Sequence, residues 1–225
     1  MDFLDWVRGP LLAFALIVFL VGVAWRLIAL RRLPAARVAG VARQPYGQGR
    51  ALGAALGRFA PRSWLPGSRT LATFNPYLFH IGLAIVFFGY APHIAFVRRL
   101  TGLSWPALPD AWMYLAAGVT IASLLLALLF RLTDPVLRRI SGADDHLTWT
   151  LTMLPLLTGM ALVGEPSAQL PVDGSAVYRT PLAIHLLSVE LLVVWFPFGK
   201  LMHAFLAWPA RMQLATFLGR RGVQP

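Results

Sequence analysis

The last apolar run of the chain carries two histidines, His185 and His203, which lie 18 residues apart. In one continuous helix this spacing equals five whole turns, so both imidazoles point the same way, about 27 Å apart along the axis. That separation approaches the ~30 Å thickness of the hydrocarbon layer of a membrane. Because polar side chains inside a membrane are costly and usually functional, the spacing predicts two metal-centred cofactors at two depths.

The second apolar run, 76–97, supplies two further imidazoles, His80 and His93. If the two runs are antiparallel, His80 lies level with His203, and His93 lies roughly level with His185. A six-coordinate haem b takes one axial imidazole from each of two helices. We therefore predict that all four histidines ligate haem iron. Histidines that merely hydrogen-bond inside a helix bundle are the alternative.

The position of His93 requires a local change of helix direction. Its separation of 13 residues from His80 leaves about 140° between the two side chains in an ideal helix. Pro92, directly before His93, offers a kink that would re-aim the ring. The sequence thus predicts two haem b groups, with a single haem as the alternative.

The composition is that of a polytopic membrane protein. Of 225 residues, 58% are hydrophobic and 13% are charged. The chain contains no cysteine, so any cysteine-ligated iron–sulfur clusters that exchange electrons with it belong to another subunit. The net charge of +11 is explained by membrane topology and by contact with anionic membrane lipid or a partner protein. We expect no nucleic acid partner.

The pattern of apolar runs predicts an all-α fold, an integral membrane bundle of five transmembrane helices in a single domain. Each run is about as long as a helix that crosses the hydrocarbon layer. The fourth run is short and contains four threonines, which leaves its ends poorly defined. The five runs cover residues 11–30, 76–97, 111–132, 146–163 and 181–205.

The positions of arginine and lysine predict the orientation of these helices. Fourteen of the 20 lie in the 31–75 loop, around the loop after the third run, or in the tail, and four lie on the opposite side. The positive-inside rule then places the amino terminus outside and the carboxyl terminus in the cytoplasm, in a bacterial inner membrane. The arginine-rich 31–75 loop is either a linker along the lipid surface or a docking surface for a cytoplasmic partner.

Two more titratable residues accompany the apolar runs. His146 lies at the cytoplasmic mouth of the fourth run and is interpreted as a helix-start residue, with Asp144 or Asp145 as the helix cap. Glu190, inside the fifth run, is expected to be paired or protonated. A proton relay and a hydrogen bond within the bundle are both open for it.

The segments around the histidines resemble the gamma subunit of respiratory nitrate reductase, a five-span dihaem cytochrome b. The best match is FPFGKLMH at 196–203, followed by LFHIG at 78–82, and a Gly-Ala-Asp turn before the fourth run also fits. The spacing of the two last-span histidines agrees as well. By this resemblance, His80 and His203 would ligate the haem on the cytoplasmic side, and His185 would ligate one face of the outer haem.

The chain departs from that family in two respects. The remaining outer-haem ligand of the family lies ten residues after the first second-span histidine, where this chain has Tyr90. Either His93 has taken over, or the outer haem is absent or differently ligated. The long 31–75 loop is the second departure. It indicates partners other than the usual nitrate reductase pair, such as heterodisulfide-reductase-like, other iron–sulfur or molybdoenzyme subunits.

The resemblance implies the membrane subunit of a respiratory redox complex, an electron-transfer subunit of an oxidoreductase. Quinol would be oxidised near the outer haem, and electrons would pass through the inner haem to a cytoplasmic iron–sulfur partner. Two other functions stay open, a membrane transporter without a cofactor and a structural anchor for an enzyme. An optical spectrum of the purified protein separates the haem protein from both.

Overall fold

The computed structural model describes residues 2–32, 46–59, 68–163 and 179–222. Within these ranges the chain is helical and contains no β-strand, so the predicted all-α class is confirmed. A short π-helical turn at Val7–Leu11 interrupts the first helix without ending it. The helices are α1 (Phe3–Arg32), α2 (Gln48–Gly57), α3 (Ser68–Gly89), α4 (Ala91–Thr101), α5 (Asp110–Thr133), α6 (Pro135–Ile140), α7 (Ala143–Met160), α8 (Arg179–Trp195) and α9 (His203–Arg220).

Three of the described helices, α1, α3 and α5, are long and apolar enough to cross a membrane. A fourth crossing exists if α8 and the following helical segment Lys200–Arg220 count as one bent span. The outward faces of these helices carry large exposed apolar side chains such as Ile17, Leu20 and Leu129, as expected for helices surrounded by lipid. The membrane class of the protein is therefore supported. Of the five predicted spans, the described helices support three or four.

The predicted fourth span, α7, is not among these candidates. Its 18 residues begin with Ala143, Asp144 and Asp145 and include four threonines, so they are less apolar than those of α1, α3 and α5. It nevertheless lies inside the bundle, because α7 packs along α8 and also contacts α5.

The last apolar run is not one helix, contrary to the prediction. α8 ends at Trp195, and residues 196–199 form a turn that we call the α8–α9 break. One turn of 3₁₀-helix at Lys200–Met202 follows, and α9 then begins at His203. The two helical segments meet at an angle of 75°. A proline in the break, Pro197, cannot donate a helical hydrogen bond and clashes with the preceding turn, which accounts for the interruption.

This break overturns the argument that placed His185 and His203 on one helical face. The two histidines belong to different helices, so the count of five turns between them does not apply. The positions of their side chains relative to the other histidines are therefore set by the packing of the bundle.

The second apolar run is interrupted as well. α3 ends at Gly89, and Tyr90 has an extended backbone with φ −85° and ψ 129°. α4 begins at Ala91 and carries Pro92 in its first turn, where a missing N–H group costs nothing. The helix is therefore interrupted before His93, at Tyr90 and not by a kink at Pro92.

Helices α3 and α5 form the most extensive packed pair. Gly82 makes this approach possible, since a Cβ atom there would lie 2.1 Å from the hydroxyl oxygen of Thr120. Lower down the same pair, the side-chain amide of Asn75 donates to the carbonyl of Ser123 at 3.0 Å, and the Ser123 hydroxyl donates to the Asn75 side chain at 2.8 Å. Small residues and buried polar pairs are the usual means of joining helices in lipid.

Contacts at the two ends of the bundle show that α8 runs in the same direction as α1 and in the opposite direction to α7. At one end, Arg179 at the start of α8 contacts Asp2 and Asp5 at the start of α1. At the other end, Lys200 just beyond α8 contacts Asp145 at the start of α7. The amino terminus and the α8–α9 break therefore lie at opposite ends, as an odd number of crossings between them would require.

Part of the 31–75 loop is folded onto the end of the chain. α2 packs on α9 through three buried alanines, Ala51, Ala55 and Ala215. The ring of Phe59 stacks on Trp208 at 6.2 Å, and the guanidinium of Arg211 lies over the same phenyl ring. Residues 46–59 are therefore held against α9 by packing. Residues 33–45 and 60–67 of the loop lie outside the described part of the chain.

Candidate functional site

The structure brings the four predicted histidines together as two pairs. The ring centroids of His80 and His203 are 5.9 Å apart, and those of His93 and His185 are 6.3 Å apart. One pair joins α3 to the start of α9, and the other joins α4 to α8. These are the partnerships expected from depth alone, although both of the helices assumed in that prediction are broken.

The spacing within each pair suits two imidazoles on opposite sides of one metal ion. Imidazole nitrogen lies about 2 Å from a bound metal, and the ring centre is about 1 Å further back, so the two centroids should be roughly 6 Å apart. The interplanar angles are 89° for His80–His203 and 21° for His93–His185. Both are compatible with axial ligation, because an imidazole can rotate about its bond to the metal.

Three of the histidines hydrogen-bond a backbone carbonyl through Nδ1. A carbonyl oxygen only accepts, so Nδ1 must carry the proton and Nε2 must present a free lone pair. Metal-ligating histidines are usually oriented in this way. The Nδ1 donors and their acceptors are His80 to Pro76 (2.5 Å), His93 to Val86 (3.2 Å) and His203 to Lys200 (2.8 Å).

His185 is oriented by α7. The Thr158 hydroxyl donates to the Leu154 carbonyl at 2.8 Å, which leaves its oxygen to accept from His185 Nδ1 at 3.1 Å. Directly beside the ring lies Gly159, where a Cβ atom would come within 2.9 Å of His185 Cε1. Neither residue was predicted to belong to the site. The signal in the sequence was a threonine and a glycine next to each other in the fourth apolar run.

The Tyr90 hydroxyl forms a hydrogen bond to the backbone. It donates to the carbonyl of Leu162 beyond the end of α7 at 3.0 Å, and the Tyr90 ring meets the edge of His93 at 5.3 Å. Phe87 stacks on the other side of His93 at 5.3 Å. The phenol oxygen thus points to a backbone carbonyl, and the imidazole of His93 is the group that faces His185.

The two pairs differ in their surroundings. His93 and His185 are half-buried, whereas His80 and His203 are exposed on the described chain. A pocket of about 480 Å³ lies against His203 between α1 and α9, with Arg26 and Lys200 among its lining residues. The pair on this side is therefore the more open one.

Glu190 lies on a different face of α8 from His185. Ala183 packs against Val7 of α1, and Pro197 contacts Gly22 of α1, so Glu190 midway between them faces α1. Its side chain is 5% exposed, and its Oε2 atom has no hydrogen-bond partner among the described residues. Within the described ranges, the pairing that the sequence predicts as one state of Glu190 is thus not seen for this oxygen.

His146 belongs to neither pair. It is exposed in the first turn of α7. Of the two candidate caps for this helix, Asp145 is the one whose carboxylate accepts the N–H of Gly142, at 3.0 Å.

Among the described residues, no three side chains of His, Cys, Asp or Glu converge as a ligand set for a bare metal ion. Paired histidines instead fit a metal that brings its own equatorial ligands, and haem iron is such a metal. The donor set and the free Nε2 atoms therefore fit haem.

Comparison with known proteins finds a relative of similar length but does not indicate a function. No family model matches the chain. A curated protein of Nitratidesulfovibrio vulgaris is 29% identical over 214 residues, which cover 92% of this chain and 90% of that protein. Its name, "Protein", describes no activity.

Proposed function

We propose that this chain is the haem b-containing membrane subunit of a respiratory redox complex, similar to the gamma subunit of nitrate reductase. The observation that carries the proposal is the pair of histidine pairs, His80–His203 and His93–His185, with centroid separations of 5.9 and 6.3 Å. Four imidazoles with tethered Nδ1 atoms are hard to explain as hydrogen-bonded packing, because each tether leaves an Nε2 atom without a role.

Haem bound at both pairs would supply two one-electron carriers at two depths of the membrane. The chain itself would provide the axial nitrogens, fixes the orientation of each ring through Nδ1, and packs the rings of Phe87 and Tyr90 against His93. Along α3 and α4, the two histidines of the second run are 13 residues apart, or roughly 20 Å of helix.

The proposal also includes a fifth span. α7 runs between the two ends of the bundle and contributes Thr158 and Gly159 to the site of His185. Counted with α1, α3–α4, α5 and α8, it gives the five crossings that place the amino terminus outside and the carboxyl terminus in the cytoplasm of a bacterial inner membrane.

In this orientation His93 and His185 lie toward the outer face, where we propose that quinol is oxidised. His80 and His203 lie toward the cytoplasm. Since the chain has no cysteine, the next electron carrier belongs to a cytoplasmic iron–sulfur partner, of the heterodisulfide-reductase-like or molybdoenzyme kind. Packed α2 and α9 carry arginines and no acidic residue, which suits an acidic partner surface.

An optical spectrum with a haem-to-protein ratio tests the first part of the proposal. We expect a low-spin haem b spectrum and two haems per chain. A preparation that inserts correctly and contains no haem would reject it in favour of a transporter or a structural anchor. Addition of a reduced quinone analogue to the oxidised protein in liposomes tests the second part. Haem that stays oxidised would contradict quinol oxidation but not haem binding.

A further inference from the structure

A buried carboxylate holds together three elements at the end of the bundle near His203. Asp145 is 4% exposed. Its Oδ1 accepts from Arg131 at 2.7 Å, at the end of α5, and its Oδ2 accepts from the Lys200 ammonium at 2.5 Å and from the Gly142 N–H at 3.0 Å. Charge-assisted hydrogen bonds of this kind are the strong ones, and a buried acid needs them.

Lys200 connects this carboxylate to the predicted ligand. Its ammonium binds Asp145, and its backbone carbonyl accepts the Nδ1–H of His203 at 2.8 Å. Only two contacts therefore separate a buried, charge-paired carboxylate from the ring of His203. Lys200 and His203 stand at the two ends of a single short turn, so a shift of Lys200 moves the acceptor that sets the orientation of the imidazole.

Other contacts hold the α8–α9 break in shape without ending at His203. Trp195 donates its indole N–H to the Thr148 hydroxyl at 3.0 Å. A Cβ atom on Gly199 would lie 2.4 Å from the same indole nitrogen, and one on Gly22 would lie 2.6 Å from Pro197. These contacts secure the backbone of the turn. The bridge through Asp145 and Lys200 is the one that reaches the hydrogen-bond acceptor of the histidine.

We propose that Asp145 is a positioning residue for His203 and, through it, for the haem on the cytoplasmic side. This inference rests on the proposed function. Without the carboxylate, the Lys200 side chain loses its fixed partner and the turn that carries its carbonyl is freer to move. His93 and His185 are held by α4, α7 and α8 instead, so the outer pair should not respond.

The test uses the full-length protein and the variant Asp145→Asn, which keeps the size of the side chain and removes its charge. Asp134→Asn is the matched control, because Asp134 caps α6 at the same end of the bundle, and within the described ranges its side chain accepts from the N–H groups of Val136 and Leu137. Electron paramagnetic resonance of the oxidised protein, a redox titration and haem content are measured for each. His80→Ala and His93→Ala assign the two haem signals.

We expect Asp145→Asn to shift the signal and midpoint potential of the inner haem, or to remove that haem alone, while the outer haem and the Asp134→Asn control stay unchanged. Lys200→Met should repeat the effect, and Lys200→Arg should restore most of the normal signal. An unchanged inner haem in Asp145→Asn overturns the inference, and so does an equal loss of both haems, which would indicate a general role in folding. A wild-type protein without haem would instead reject the proposed function itself.

Discussion

His203 faces His80 at a centroid distance of 5.9 Å, although it begins a helix that turns 75° away from the preceding one. The 3₁₀ turn Lys200–Met202 directly precedes His203. The ring of His203 is oriented by this turn, because its Nδ1 donates to the carbonyl of Lys200. The ammonium of Lys200 in turn binds the buried carboxylate of Asp145.

Replacement of either member of the inner pair should remove one haem. In His80→Ala or His203→Ala, one axial nitrogen is lost, so we expect about one haem per chain in place of two and no change in membrane insertion. The haem-to-protein ratio measures this. His146→Ala is the control, because His146 is exposed and belongs to neither pair, and it should keep both haems. Full haem content in both inner-pair variants would refute this pairing.

For the outer pair, we expect opposite results from substitutions at His93 and at Tyr90, three residues before it. His93→Ala should lose the outer haem, whereas Tyr90→Phe should retain it, because the Tyr90 hydroxyl donates to the Leu162 carbonyl and does not face His185. Haem content and the low-spin spectrum check both variants. Loss of the outer haem in Tyr90→Phe but not in His93→Ala would show that tyrosine is the ligand.

Gly159→Ala should disturb the outer haem by crowding its ligand. The added Cβ atom would lie 2.9 Å from His185 Cε1, so the ring must shift or rotate. We expect an altered resonance signal from the outer haem only. Gly118→Ala is the matched control, since a Cβ atom at Gly118 meets nothing within 4 Å among the described residues. Identical spectra for the two variants would mean that Gly159 does not shape the site.

The Asp145 bridge should contribute to the stability of the fold. Its buried carboxylate accepts hydrogen bonds from Arg131, from Lys200 and from the Gly142 N–H. Removal of its charge leaves two basic side chains without their partner.

Thermal unfolding of the wild type and of Asp145→Asn in detergent measures this contribution. We expect the variant to be less stable by about 1–2 kcal/mol, below the roughly 3–5 kcal/mol of a fully buried pair because the Lys200 side chain is 55% exposed. Asp134→Asn is again the control. Equal stability of wild type and Asp145→Asn would contradict the assignment.

Single cysteines test the orientation, since the natural chain has none. Gln48→Cys, on the exposed face of α2, should react with a membrane-impermeant thiol reagent only after the cells are opened. Ser104→Cys, exposed between α4 and α5, should react in intact cells. Ala51 is unsuitable as a reporter because it is buried against α9. The reverse labelling pattern would invert the proposed topology.

Residue types and apolar runs were enough to predict the helical membrane class and to single out the four histidines. Both properties are local. Apolar runs of about 20 residues have few alternatives to a helix in lipid, and an imidazole in such a run stands out whatever its neighbours are. The pairing of His80 with His203 also followed from depth, because antiparallel helices of similar length place matching ends side by side.

The breaks and their consequences were decided by the tertiary structure. Pro92 signalled a possible interruption before His93, whereas the last run was predicted as one helix. The 75° turn after α8 depends on Gly22 of α1, Thr148 of α7 and Asp145, all distant in sequence from the α8–α9 break. The free energies of such contacts depend on which side chains the fold brings together. The local sequence therefore determined which residues could act as ligands, and long-range packing determined the direction of each imidazole ring.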